Sequence, residues 1–302
     1  MQRNKPGREA TALKWRRTKI IATLGPASNS QKMIEQLIAG GVNLFRINMS
    51  HGDNDTHRQT IERVRRAAKK AGTHVGILMD LCGPKIRVGR FENDGIELTE
   101  GGSVVVTTRN VVGSDGVIPS QYKSLHKDVK KGERILLDDG KLSLRVLGVK
   151  DQDVRCKVLD GGWLSNNKGM NLPNSDLSTQ ALTPKDRKDV ELGVELEVDY
   201  VALSFVRAAK DVLQLKRHLR KLGASIPIVS KIERPEAVDA IDDIMDVTEA
   251  IMVARGDLGI ELPAERVPLI QRDLIAKARQ TGIPVIVATQ MLESMMTHAR
   301  PT

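Results

Sequence analysis

The sequence predicts an α/β fold: a TIM (β/α)8-type barrel lacking its eighth strand, with an inserted all-β lid domain between strands three and four. Three observations predict it. From Thr18 onward, short β-branched runs alternate with amphipathic segments, as βα units around a parallel sheet require. Between about Gly89 and Asn174 the helical period vanishes and short strands replace it. After Pro173 the alternation resumes for four more strands, giving seven parallel-type strands where eight close a barrel.

Taken in order, residues 19–23 read as the first strand. The cap cluster Ser28-Asn29-Ser30 follows, then Met33, Ile34, Leu37 and Ile38 at helical spacing before Gly40-Gly41. Residues 42–47 read as the second strand, 56–71 as a basic helix closed by Gly72, and 75–80 as the third strand. Within the insert the expected strands include 103–107, 134–137, 143–149 and 154–159. Glu100-Gly101-Gly102, Asp138-Asp139-Gly140 and Asp160-Gly161-Gly162 supply the hairpin turns. Thr183-Pro184 opens the next helix, with proline where a missing N–H costs nothing. Strands four to seven are expected at 200–204, 226–230, 250–254 and 284–289. The domains so defined are a basic tail at 1–16, a discontinuous barrel at 17–88 and 175–302, and the lid at 89–174.

Composition narrows the function. The 302 residues are 40% apolar, enough for one large core and a smaller second one. With two Trp, two Tyr and three Phe, stacking platforms for single-stranded nucleic acid are nearly absent, so the net charge of +9 does not point to nucleic acid. It suits anionic substrates. Cys82 and Cys156 lie far apart without CxxC spacing, which argues against a disulfide framework or zinc site and favours the cytoplasm. No apolar run is long enough to span a membrane. The first 16 residues are Arg-rich but lack an apolar face, so they read as a solvated tail rather than a transit peptide.

In such barrels the chemistry sits just past the C-terminal ends of the strands. The fifth strand runs into Ser230-Lys231-Ile232-Glu233, where Lys231 and Glu233 share a face if the strand continues. The sixth runs into Arg255-Gly256-Asp257-Leu258-Gly259, so Glu233 and Asp257 would meet across neighbouring strand ends. Two hard carboxylates suit Mg²⁺, which completes its shell with substrate oxygens and water, and Lys231 supplies a cation for a phosphoryl group. Each residue alone has a plainer reading, a solvated salt bridge for Lys231 and Glu233 and a capped tight turn for RGDLG. The second strand ends in Arg46-Ile47-Asn48-Met49-Ser50-His51-Gly52, with Arg46, Asn48 and Ser50 on one face at period two. That arrangement suits a phosphate fork and oxygen donors for a cation, or a polar loop capped by Ser50. The third strand ends in Asp80, followed by Gly83-Pro84-Lys85-Ile86-Arg87.

These motifs resemble pyruvate kinases from about Arg17 to the last residue. The resemblance rests on TKIIATLGPAS at 18–28, Phe45 to Gly52, MDLCGPKIRVG at 79–89, LLDDGKL at 136–142, KGMNLP at 168–173, SKIERPEA at 230–237, MVARGDLGIELP at 252–263 and ATQMLESM at 288–295. It implies phosphoryl transfer from phosphoenolpyruvate to ADP in glycolysis, under a lid that closes over the barrel. Lys231 then corresponds to the lysine that steadies the phosphoryl group in flight. Glu233 and Asp257 correspond to the Mg²⁺ ligands, and Ala254, Arg255 and Gly256 to the segment receiving the substrate carboxylate. Thr289 corresponds to the residue beside the enolate face, where protonation gives pyruvate. Arg46 and Arg87 match arginines near the transferred phosphate and nucleotide, and His51 and Lys168 match residues that hold the nucleotide.

Two departures qualify the resemblance. Many members bind K⁺ beside the equivalents of Asn48, Ser50 and Asp80, with Thr, Lys and Glu where this chain has Leu81, Cys82 and Lys85. Lys85 can place an ammonium in that region, as in K⁺-independent members, so K⁺ is expected not to be required. The second departure is that the sequence stops at Thr302, where members continue through strand eight and a C-terminal regulatory domain. The expectation is an unclosed barrel with two unpaired edges, active once completed by further chain, a partner or a second copy. A non-catalytic remnant that binds phosphoenolpyruvate, nucleotide or a partner chain is the alternative. A Mg²⁺-dependent aldolase or lyase acting on pyruvate is a third reading, disfavoured by the inserted lid.

Overall fold

The computed structural model describes residues 16–173, 175, 177–289, 291 and 293–300, so all of the expected basic tail except Arg16 lies outside the described residues. The chain divides into two compact units, residues 1–79 and 80–302.

The first unit holds β1 (Ile21–Thr23), α1 (Gln31–Ala39), β2 (Leu44–Asn48), α2 (Asn54–Ala71) and most of β3 (Gly76–Asp80). β1 and β2 pair in parallel, Ile21 opposite Leu44. Helix α1 starts where the Ser30 hydroxyl accepts the Met33 N–H at 3.3 Å, and it buries Ile34 and Ile38. Helix α2 starts two residues earlier than its periodicity suggests, because the Asp53 carboxylate caps it by accepting the Thr56 N–H at 2.8 Å. It ends at Gly72, whose φ of 62° closes the last turn.

The second unit opens with Asp80, the last residue of β3, and then the inserted β-structure. Strands β4 (Gly95–Leu98), β5 (Ser103–Thr107) and β6 (Val117–Pro119) precede α3 (Leu125–Asp128). After them come β7 (Arg134–Leu137), β8 (Leu142–Lys150), β9 (Asp153–Asp160), β10 (Gly162–Ser165) and β11 (Met170–Asn171). Six form one sheet in the order β11-β7-β8-β9-β5-β6, and β4 pairs with β10. They enclose a core of their own, including Leu98, Val106, Ile118, Ile135, Leu144 and Val154.

The βα rhythm then returns as α4 (Pro184–Glu195), β12 (Tyr200–Leu203), α5 (Ala209–Lys221), β13 (Ile228–Ile232), α6 (Pro235–Asp239), α7 (Ile241–Met245), β14 (Ala250–Ala254), α8 (Arg255–Glu261), α9 (Val267–Thr281) and β15 (Val285–Ala288). β12, β13, β14 and β15 pair in that order, all parallel. Every residue of β13 and β14 is buried, as strands covered on both faces must be, whereas β15 is half-buried throughout. With three parallel-type strands before the insert and four after it, the architecture is the incomplete TIM barrel with an inserted β-domain that the sequence predicts. Strand β13 differs from expectation by a two-residue shift. Pro227 has no N–H for the ladder, and its carbonyl accepts from Val201 at 3.0 Å, so the strand begins at Ile228. That shift places Lys231 inside the strand rather than after it. Among the described residues no helix is long and apolar enough to cross a membrane.

Candidate active site

Strand alternation fixes the centre of the site. Lys231 and Glu233, two residues apart at the end of β13, point to the same side, and the Lys231 ammonium lies 2.7 Å from Glu233 Oε1. The same ammonium is 3.2 Å from Asp80 Oδ1 at the end of β3, and it donates to Ser204 Oγ at 2.8 Å just past β12. All four residues are buried. Glu233 Oε2 accepts the Phe205 backbone N–H at 2.8 Å, so both carboxylate oxygens have partners.

Burial pulls the Lys231 ammonium towards deprotonation, but attraction to Glu233 and Asp80 outweighs it, and the group is held well above the ordinary lysine value. Burial pushes the Glu233 carboxyl above the usual range; Lys231 opposes this and the nearby Asp257 charge adds to it. The two shifts compete for one proton. With two carboxylates and a hydroxyl around the nitrogen, the proton stays on Lys231. Asp257, in the first turn of α8, is half-buried. It lines a cleft together with Lys85, Asp139, Asn171, Phe205 and Arg234.

The chain matches the pyruvate kinase barrel-domain family over residues 15–302. The chain belongs to the pyruvate kinase family. It is 47% identical over 288 residues to the pyruvate kinase of Corynebacterium glutamicum, covering 95% of this chain and 60% of the relative. Against the pyruvate kinase of Thermotoga maritima it is 45% identical over 287 residues, 95% of this chain and 62% of the relative. The crystal structure of a pyruvate kinase from Cryptosporidium parvum superposes with a TM-score of 0.90 at 39% identity, covering 94% of this chain and 60% of that one. The chain thus spans about three-fifths of the length of the pyruvate kinases it matches.

The remaining residues that the pyruvate kinase resemblance singles out fall into separate groups. Thr289, at φ 68°, accepts the Gly256 N–H on its hydroxyl at 3.0 Å. Arg255 donates through Nε to the Ala288 carbonyl at 3.0 Å and through Nη2 to the Thr289 carbonyl. Ala254 ends β14 and Gly256 follows Arg255 in α8, so the Arg255 segment is tied to the end of β15. The Gly256 N–H, in the segment that the resemblance assigns to the substrate carboxylate, is taken here by the Thr289 hydroxyl. In the insert, Lys168 lies 2.7 Å from Asp138, whose carboxyl is held below its ordinary value by Lys168 and then Lys141. Arg87 donates to the Asn167 carbonyl at 3.0 Å. Within the first unit, Arg46 donates to Thr23 Oγ1 at 3.1 Å, Asn48 Oδ1 accepts the Ser50 N–H at 3.1 Å, and His51 is exposed. The ammonium on Asp80 belongs to Lys231, while Lys85 is exposed at the cleft.

Sequence reasoning missed Ser204, Phe205 and Asp186. Ser204 and Phe205 follow a strand end, the position that flagged the other residues. Asp186, fully buried, accepts the Gly83 N–H at 3.1 Å and the Thr183 N–H at 2.8 Å, so one carboxylate caps α4 and holds the loop that carries Lys85. A Thr-x-x-Asp capping box was its only sequence signal.

Proposed function

We propose that this chain forms the barrel and lid of a pyruvate kinase, which transfers the phosphoryl group of phosphoenolpyruvate to ADP and yields pyruvate and ATP in glycolysis. The observation that carries the reading is the Lys231 ammonium, buried and fully charged between Asp80 and Glu233 at the strand ends. A cation fixed before substrate arrives stabilises charge on a transferring phosphoryl group without reorganising. Residues 17–88 and 175–302 supply the barrel in this reading, 89–174 the lid and 1–16 a basic tail.

Glu233 and Asp257 fit Mg²⁺ by their chemistry. Two hard carboxylates stand near each other, one of them driven above its ordinary value by burial and by its neighbour's charge. Among the described residues no group of three or more His, Cys, Asp or Glu side chains is placed to hold a metal ion, so the reading rests on this pair of carboxylates. When bound, the ion supplies Lewis-acid neutralisation of substrate oxygens. This chain's residues do the rest. Lys231 meets the phosphoryl group, with Arg46 and Arg87 beside phosphate and nucleotide, and His51 and Lys168 hold the nucleotide. Ala254, Arg255 and Gly256 receive the substrate carboxylate. The Thr289 hydroxyl accepts from Gly256 and so keeps its own hydrogen to donate toward the enolate face.

A coupled assay reading pyruvate formation tests the reading. Lys231→Met should lower phosphoryl transfer by about two to three orders of magnitude, the scale of losing one preorganised stabilising group. Full activity in that variant overturns the assignment. Mg²⁺-dependent binding of phosphoenolpyruvate by the unsubstituted chain without turnover would favour a binding role instead.

A further inference from the structure

Strand β12 ends at Leu203, and the two residues after it form a corner that the motifs do not explain. Phe205 has φ +54°, a left-handed conformation that a bulky side chain adopts only against the resistance of its own Cβ. Such strain persists where the surroundings over-determine it, and it concentrates at functional sites. Here four contacts impose it. The Phe205 N–H donates to Glu233 Oε2 at 2.8 Å. Ser204 Oγ donates to the Leu81 carbonyl at 2.7 Å and accepts from Lys231 Nζ at 2.8 Å. Gly83, at φ +64°, lies so close beneath that a Cβ there would stand 2.8 Å from Phe205 Cδ2 and 3.0 Å from Ser204 Cβ. A serine hydroxyl has one hydrogen. Spent on Leu81, it leaves only lone pairs for Lys231, so the polarity of the contact is fixed.

We propose that Ser204 and Phe205 are positioning residues that hold the Lys231–Glu233 pair in its working arrangement, Ser204 by drawing the ammonium off Glu233 and Phe205 by anchoring Glu233 Oε2. The proposal rests on the reading of Glu233 as a metal ligand and Lys231 as the phosphoryl-facing cation. Without the Ser204 hydroxyl, the ammonium leans harder on Glu233 Oε1, the oxygen that a divalent cation must share. Divalent-cation affinity then falls even where the fold is intact.

The test uses the full chain and Mn²⁺ alone, followed by electron paramagnetic resonance of the free ion. Ser204→Ala should weaken Mn²⁺ binding about tenfold, the scale of one hydrogen bond to a charged group, and Ser204→Thr, which restores a hydroxyl, should recover most of it. Should the alanine variant fail to fold, Ser204→Cys keeps the volume with a weaker acceptor and carries the same expectation. A metal-free arm compares crystal structures of the unsubstituted chain and Ser204→Ala, in which the Lys231 ammonium should move away from residue 204 and toward Glu233 Oε1. Unchanged Mn²⁺ affinity together with an unmoved ammonium overturns the proposal. If Glu233→Gln leaves Mn²⁺ binding intact, the metal reading of Glu233 has failed, and the position of the ammonium alone decides the role of Ser204.

Discussion

Replacing Arg234 with Met should destabilise the chain in a pH-dependent way, and the structure sets both size and sign. Arg234 is 3% exposed. Its guanidinium lies 2.9 Å from Glu236 Oε1 and 3.7 Å from Glu261 Oε2, and it donates to the Leu172 and Ser175 carbonyls at 3.4 and 3.5 Å. Glu261 Oε1 accepts from Asn171 at 2.9 Å, but Oε2 is buried without a hydrogen bond, so the Arg234 charge is its main compensation. Burial raises the Glu261 carboxyl above its ordinary 4.5, and Arg234 is the leading opposing influence. Methionine keeps the stem and deletes the charge. Breaking a buried pair by removing one partner costs about 3–5 kcal/mol, which we expect at pH 8. For an acid whose folded value is raised, the penalty is absent below the ordinary value, grows as pH rises through the folded value and is full above it. The loss at pH 5 should therefore be smaller than at pH 8, and adding Glu261→Gln should recover much of it. Urea unfolding followed by far-ultraviolet circular dichroism at both pH values measures this. A loss under about 1 kcal/mol at pH 8, as for an exposed pair, or an equal loss at both pH values, would refute the reasoning.

Three further outcomes are expected. Asp186→Ala removes a helix cap and strands the Gly83 N–H, so it should cost about 2–4 kcal/mol in the same unfolding measurement; a neutral result would mean that the capping box is redundant. Burial pushes the Cys156 thiol up to about 12, so at pH 8 native protein should resist alkylation there while half-buried Cys82 reacts, and both should react in urea. Turnover in NaCl should match turnover in KCl at equal ionic strength if Lys85 serves in place of K⁺; a large activation by KCl would sink that assignment.

Strand ends, helix spacing and the β-insert were legible in the sequence because burial imposes a period of 2 or 3.6 on apolar residues. The pairing of Lys231 with Glu233 followed from the same alternation, since two residues along a strand return a side chain to one face. What alternation cannot carry is contact across strands. The reach of Lys231 to Asp80, 151 positions earlier, depends on which strands become neighbours and at what register. The Phe205 corner was equally hidden, because a left-handed φ in a non-glycine residue is imposed by packing from Gly83 and Glu233 rather than announced by its own residue type. Two local signals carry more than periodicity shows: Asp53 caps α2 two residues before its apolar period begins, and Pro227 delays the β13 ladder to Ile228 although an apolar run through a proline reads as strand.

Charge balance at the strand ends decides what else the site requires. Asp80 and Glu233 place two carboxylates around the Lys231 ammonium, and the charge of a third, Asp257, is close enough to push the Glu233 carboxyl up and to raise the lysine. Protonating Glu233 would relieve the excess, but a neutral carboxyl would surrender its ion pair with Lys231 and most of its affinity for a cation. A dication relieves the same excess while leaving Lys231 charged. The charge it would balance sits at and just past the strand ends, whereas Lys85 is exposed at the margin of the cleft. On the proposed reading, a divalent ion at Glu233 and Asp257 would leave Lys231 for the anionic substrate, whereas a site neutralised by Lys231 alone would not.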